Sequence, residues 1–257
     1  MKEIDTVKTE YTGGAPAGAA LIAEAMDRRN VVGRYKAMQA VKDWDRTRLG
    51  YRAVKRAFDI VFSGCVLAVI AVPSLVLAAA IRLESEGNPF YSQIRVGQTH
   101  RDGRLSTFRM WKFRSMYKDA DERLAELKER NEIAGAMFKM KEDPRVTKIG
   151  KFIRKHSIDE FPQFFNVLAG QMSLIGPRPE RTQFVEMFKE EIPRYMIKHQ
   201  VRPGMTGWAQ VNGLRGDTSI YERVKYDIWY IENWTRSLDV KILFLTIFKG
   251  FVNKNAY

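Results

Sequence analysis

The chain has 257 residues, 45% of them hydrophobic and 12% aromatic, and a formal net charge of +13. That balance excludes a disordered polar chain and allows one sizeable core with an appendage. The positive field suits anionic partners such as nucleic acid, anionic lipid or a phosphorylated substrate. The lone cysteine, Cys65, leaves no intrachain disulfide and fits a reducing, cytosol-facing protein.

Residues 1–50 read as a partly flexible, basic N-terminal extension: Gly13-Gly14-Ala15-Pro16-Ala17-Gly18 is a flexible stretch, and residues 19–48 look helical. No chemistry is assigned to them. Residues 51–84 form the membrane region. Ile60 to Ile81 is a run of 22 residues without a charge, about 33 Å as a straight helix, enough for a hydrocarbon core of ~30 Å. It begins too far from the N-terminus for an ordinary cleaved signal peptide. A soluble nucleic-acid binder has no use for such a run, so lipid is the favoured anionic partner and no nucleic acid is expected. A buried soluble helix is the competing reading.

Two features argue against a simple span. Pro73 falls near the middle, removing a backbone donor and clashing with the preceding turn. Cations crowd both flanks: Arg46, Arg48, Arg52, Lys55 and Arg56 before, Arg82, Arg95, Arg101, Arg104 and Arg109 after. The positive-inside rule wants one cytoplasmic side and finds two. A helix that enters, bends at Pro73 and returns to the same face resolves this, with a kinked span as the alternative.

Residues 85–257 form the cytosolic catalytic domain. Between 82 and 116, turn signals at Asn88-Pro89 and Asp102-Gly103 and the period-two run Leu105 to Trp111 predict a small β element. Lys118 to Asn131 is a charged helix, and Asp143-Pro144-Arg145 a turn. Asn166 to Gly170 closes a helix with a glycine cap. Arg202 to Gly207 reads as a loop, and Tyr221 to Trp234 as an aromatic-rich helix. Val240 to Phe251 is apolar but too short to span, and it suits an interface.

The reactive candidates are two. Ser157-Ile158-Asp159-Glu160-Phe161-Pro162-Gln163 fits a helix start: Ser157-x-x-Glu160 matches a capping box and Pro162 a first turn. A carboxylate so placed is also held ionised, ready to attack phosphorus or to hold a divalent metal. Both readings fit the residues. Gly176-Pro177-Arg178-Pro179 presents a guanidinium from a stiff extended turn, matched to phosphate oxygens, unless it is a plain structural turn. Lys148, Lys151, Arg154, Lys155 and Arg202 gather near these motifs in the linear sequence. Asp119-Ala120-Asp121 has metal-like spacing but starts a charged helix, so it reads as solvated surface. His100, His156 and His199 lack metal-ligand spacing, and no Walker loop, dinucleotide fingerprint or Gly-x-Ser-x-Gly elbow occurs.

Six motifs occur in order: Lys55-Arg56-Ala57-Phe58-Asp59, Trp111-Lys112-Phe113-Arg114-Ser115-Met116, Asp143-Pro144-Arg145-Val146-Thr147, Asp159-Glu160, Gly176-Pro177-Arg178-Pro179, and Arg202 through Gly213. From about residue 52 to 257 the chain resembles the monotopic polyprenyl-phosphate hexose-1-phosphate transferases of bacteria, the bacterial sugar transferases. The resemblance implies a mainly helical α+β fold: a monotopic membrane protein with a re-entrant helix broken at Pro73, interfacial amphipathic helices and a small β element. It implies transfer of hexose 1-phosphate from a UDP-sugar, glucose or galactose, to undecaprenyl phosphate, with release of UMP. That step would initiate exopolysaccharide, capsule or O-antigen-type glycan assembly at the cytoplasmic face of the bacterial inner membrane.

By the same resemblance Asp159 attacks the sugar-linked phosphorus and Glu160 assists as metal ligand or base. Mg²⁺, held at Asp159 and Glu160, spreads the diphosphate charge. Lys112, Arg114, Arg154 and Arg178 hold phosphate oxygens, Arg202, Gln210 and Asn212 line the substrate pocket, and Lys55 and Arg56 meet phospholipid phosphates. A homodimer is allowed for. Two departures stand out: Val72, not the serine of many members, precedes Pro73, and only about fifty residues precede the core, as in the compact form. The C-terminal part, from Arg215-Gly216-Asp217-Thr218 onward, looks more like the glucose- or galactose-transferring branch of long members. A non-catalytic membrane scaffold and a single-displacement transferase with Asp159 as metal ligand only are the alternatives.

Overall fold

The computed structural model describes residues 49–100, 102–127, 140, 142–216 and 218–252. Residues 1–52 and 53–257 form two compact units. Of the first, only the helical turn 49–52 is described, so the flexible and helical stretches expected in residues 1–48 lie outside the described residues.

Helix α1 spans Leu49–Glu84 and passes through Pro73 without ending. Proline removes one N–H and crowds one carbonyl, while the neighbouring hydrogen bonds persist. Among the described residues it is the one helix long and apolar enough to cross a membrane. Val61, Val69, Val72, Leu75 and Val76 are exposed, and only Asp59, Ser63 and Ile81 are buried.

The expected β element is a hairpin of β1 (Phe90–Thr99) and β2 (Leu105–Phe113), antiparallel from Phe90↔Phe113 to Val96↔Thr107, with an irregularity between Val96 and Thr99. Phe108 and Met110 are buried between exposed Thr107, Arg109 and Trp111, the alternation that fixes the register, and Phe113 is buried out of phase at the strand end. Helix α2 (Ala120–Leu127) is the described part of the charged helix. Asp119 accepts from Arg123 Nε at 2.7 Å on the surface, as expected of a solvated pair.

Helix α3 (Lys148–Lys155) starts at Thr147, whose side chain accepts from Gly150 N. It is also capped from a distance. The Glu84 carboxylate accepts from Lys148 N at 2.8 Å and Ile149 N at 3.1 Å, a favourable charge at a helix N-terminus. A 3₁₀ turn, Ile158–Glu160, precedes α4 (Gln163–Leu168), which ends at Gly170 with φ 78°. Ile81, Phe113 and Ile153 pack with Leu77, Ala78, Ile158 and Phe161 beneath that turn.

The segment expected to be a loop after Arg202 holds a strand. β3 (Ser173–Ile175) and β4 (Gly204–Thr206) pair in parallel; three residues are too few to show a period. Gly176 lies so close to β4 that a Cβ on Gly204 would stand 2.1 Å from Gly176 N. Helix α5 (Thr182–Glu191), a 3₁₀ segment (Tyr195–Gln200), α6 (Trp208–Val211), α7 (Ile220–Glu232) and α8 (Arg236–Val252) complete the domain. Val96, Phe184, Val185, Phe188, Tyr195, Val224 and Ile228 form a second core. Helix α8 exposes Val240, Phe244, Ile247 and Phe248 while Leu238 and Ile242 face inward. The apolar run from Val240 is thus part of a longer, two-faced helix.

Candidate active site

The 3₁₀ turn carries Asp159 and Glu160 between α3 and α4. Ser157 adopts the left-handed conformation (φ 56°) and its side chain makes no cap. The capping box expected from Ser157 and Glu160 does not form. The left-handed residue turns the chain sharply, Glu160 N bonds Ser157 O instead, and the Glu160 side chain is taken up by cations. The carboxylates therefore lie one turn ahead of α4, with Pro162 as its cap residue.

Asp159 is 3% exposed. Its Oδ2 accepts from Lys112 Nζ at 3.0 Å, while Oδ1 is buried without a hydrogen-bond partner. Glu160 Oε1 accepts from the same Lys112 Nζ at 3.0 Å and from Arg178 at 2.5 Å. Burial pushes the Asp159 carboxyl above the usual carboxylate range, against the pull of Lys112. Burial acts on Glu160 too, but Arg178 and Lys112 overcome it and hold that carboxyl well below the usual range. Two neighbouring carboxylates are thus driven apart, Asp159 upward by burial and Glu160 downward by its cations. Arg154, on α3, donates from Nε to Ser115 Oγ at 2.8 Å and adds to the positive field at Asp159.

Each member is positioned by identifiable contacts. Asn166 of α4 accepts from Trp111 N at 3.0 Å and donates to Arg109 O at 2.7 Å, fixing the edge of β2 beside the turn and so bringing Lys112 to the carboxylates. Arg178 lies between two backbone straps. Gly176 N donates to Thr206 O and Gly204 N to Pro177 O on one side; Val96 N donates to Glu180 O on the other. The close approach of Gly176 and Gly204 makes the first strap possible.

Asp159, Glu160, Lys112 and Arg178 therefore converge as the sequence predicted, with Arg154 beside them. Other expected site residues are used differently. Arg114 donates to Glu86 O and Ser85 O, tying the end of β2 to the segment after α1. Arg56 donates to Val167 O at 2.6 Å and Leu168 O at 2.8 Å, capping the carbonyl end of α4. Lys55 pairs with Asp239 Oδ2 at 2.6 Å, where Tyr230 and Trp234 also donate. Gln210 is buried and donates to Met205 O, and Asn212 donates to Trp208 O. Arg202 is half-buried in the turn before β4, its carbonyl beside Gly176.

Gln163 and Asn166 escaped sequence reasoning. Gln163 is 1% exposed with Nε2 unpartnered, one helical turn beyond Asp159; a buried amide beside a reactive pair leaves no periodic signal. No group of three His, Cys, Asp or Glu side chains that could hold a metal occurs among the described residues. A Mg²⁺ ion taking one or two carboxylates and completing its shell with substrate phosphates still fits here, because Asp159 Oδ1 is an acceptor without a donor.

A family model described as bacterial sugar transferase matches residues 50–253. The chain is 43% identical over 210 residues to the UDP-glucose:undecaprenyl-phosphate glucose-1-phosphate transferase of Escherichia coli (strain K12), covering 80% of this chain and 42% of that protein. It is 47% identical over 204 residues to the UDP-N-acetylgalactosamine-undecaprenyl-phosphate N-acetylgalactosaminephosphotransferase of Aeromonas hydrophila (77% and 43%). To the undecaprenyl-phosphate galactose phosphotransferase of Salmonella typhimurium it is 44% identical over 200 residues (76% and 40%). The chain spans about two fifths of the length of these curated relatives.

Proposed function

The chain belongs to the bacterial sugar transferase family, and from that membership we propose that it transfers a hexose 1-phosphate from a UDP-sugar to undecaprenyl phosphate. The observation that carries this reading is the unequal treatment of two adjacent carboxylates. Glu160 is locked by two cations, while Asp159 keeps one buried oxygen without a donor. The Asp159 carboxylate attacks the phosphorus bonded to the sugar. The bond from that phosphorus to the UMP oxygen breaks, UMP leaves, and an aspartyl phosphosugar remains. An oxygen of the lipid phosphate then attacks the same phosphorus, the bond to Asp159 breaks, and the free carboxylate returns.

Lys112 favours the charged form of Asp159 against the opposing effect of burial, and Arg178 and Arg154 offer donors to phosphoryl oxygens. Asp159 and Glu160 would hold Mg²⁺, which would supply neutralisation of the diphosphate charge. The printed names of relatives at similar identity differ in sugar, with glucose, galactose and N-acetylgalactosamine all represented. UDP-glucose and UDP-galactose are the proposed donors.

A re-entrant placement of α1 at the cytoplasmic face of the inner membrane accompanies this reading. Both flanks of the apolar run are tied to one unit: Arg56 and Asp59 bond Val167 O, Leu168 O and Leu174 N, while Glu84 caps α3. A domain held at both flanks favours return to one face. The apolar face of α8 supports an interfacial position for that helix.

The test is UMP release by the full chain in detergent, with Mg²⁺, undecaprenyl phosphate and a panel of UDP-sugars. Asp159→Asn serves as the control, and a labelled phosphosugar adduct is trapped without acceptor. UMP formation that needs Asp159, with an adduct on that residue, is the expected result. Turnover without any adduct would leave single displacement, and silence across the panel would remove the transferase reading.

A further inference from the structure

Behind Arg178 lies a charged cluster that the mechanism above does not use. Lys198 is 3% exposed, and its Nζ stands 3.1 Å from Asp227 Oδ2 and 3.6 Å from Glu180 Oε1. Glu180 is 8% exposed and follows Arg178 by two residues. Tyr195 is buried beside them, its ring centroid 5.7 Å from Lys198 Nζ. A buried lysine facing two carboxylates leaves one negative charge in excess. Three further cations, Arg95, Arg223 and Arg178, act on the Glu180 carboxylate. Arg95 in turn donates to Pro179 O at 3.2 Å, and its own charge opposes that of Arg178.

The geometry of the strap matters as much as the charge. Glu180 is held through its backbone O by Val96 N and through its side chain by Lys198 on the 3₁₀ segment, itself paired to α7. Arg178 must reach Glu160 from the short stretch between this anchor and the β3–β4 junction. Two guanidinium groups, Arg95 and Arg178, crowd the same strap. Without a counter-charge they repel, and the more exposed one, Arg178, is displaced.

We propose that Glu180, held in place by Lys198 and Asp227, is a positioning residue that keeps Arg178 aimed at Glu160 and at the substrate phosphate. The assignment rests on the transferase reading. Glu180→Gln is the informative change, because it is isosteric and leaves Lys198 paired with Asp227. Lys198→Met would instead strand two buried carboxylates and threaten the fold.

The expected result is a fall in kcat/KM for UMP release of about tenfold in Glu180→Gln, with thermal unfolding close to the parent. In an Arg178→Ala background the same change has little further effect, less than about twofold, because the two residues act as one. Glu180→Asp keeps the charge and retains activity within about threefold of the parent. Additive losses in the double variant, or an aspartate as impaired as the glutamine, overturn the inference while parental turnover leaves the transferase reading intact. A parental chain that turns over no UDP-sugar overturns that reading and this inference with it.

Discussion

Replacing Lys112 with methionine tests the central electrostatic argument. The substitution keeps all but the terminal atom of the side-chain length and removes a charge that sits 3.0 Å from both Asp159 Oδ2 and Glu160 Oε1. At that separation one charge pair amounts to about 5.5 kcal/mol with an effective dielectric of ~20. Lys112 remains partly open to solvent, and desolvation offsets much of the attraction, so a net loss of about 1–3 kcal/mol at Asp159 is reasonable. Glu160 keeps Arg178 and stays ionised. Asp159 loses the hydrogen-bond donor that opposes its burial, so its carboxyl rises further.

In the proposed reaction the ionised form attacks, so the acid limb of the rate profile moves up by about 1–2 pH units. The loss is then uneven. Turnover of Lys112→Met falls about 10- to 100-fold on the acid limb and recovers much of the difference at alkaline pH. Initial rates of UMP release between about pH 5 and pH 9 read this directly, with Lys112→Arg as the charge-keeping comparison. A loss of equal size at every pH would refute the reasoning, because it would mean that Lys112 binds substrate without tuning Asp159.

Gly204→Ala places a Cβ 2.1 Å from Gly176 N, against backbone that has no side chain to move. Destabilisation of about 1–3 kcal/mol is expected, read as a lower Tm, together with a fall in turnover of up to about 100-fold as Arg178 shifts. Asp239→Asn leaves Lys55 without its anion and one carbonyl oxygen to serve only one of the two donors, Tyr230 at Oδ1 or Trp234 at Oδ2. Thermal unfolding in detergent is expected to show a loss of about 1–2 kcal/mol. The stabilisation from Glu160 is complete above its ordinary value of 4.5 and is lost as pH falls towards its depressed folded value. Arg178→Ala therefore flattens the fall of Tm with acid below about pH 4.5, and an unchanged acid slope would count against the Arg178–Glu160 pair.

The hairpin was legible because β2 alternates from Thr107 to Trp111, and the adjacent carboxylates drew notice because two acids beside a helix start are chemically conspicuous. Convergence of Lys112 and Arg178 on them followed from ordered motifs rather than from any local periodicity. Cations were the weak point. Arg56 and Arg114 read as phosphate binders, yet both satisfy carbonyls left open at element ends, a use that depends on what folds beside them. Glu160 admitted a capping reading beside the chemical one, because the pattern around Ser157 fits. The left-handed Ser157 abolishes that cap, and residue types alone do not announce such a conformation. Lys198 gave no signal at all, since its partners lie 18 and 29 positions away along the chain.

The bonds at the two flanks of α1 bear on any attempt to obtain a water-soluble form. Asp59 accepts from Leu174 N, Arg56 covers Val167 O and Leu168 O, and Glu84 covers Lys148 N and Ile149 N. Excising the helix would strip five backbone groups of their partners, three of them donors, around the elements that frame Asp159. The segment is therefore a structural member of the domain as well as its long apolar helix. Solubilisation has to proceed by resurfacing the exposed positions, such as Val61, Val69, Val72, Leu75 and Val76, with Arg56, Asp59, Ile81 and Glu84 left untouched.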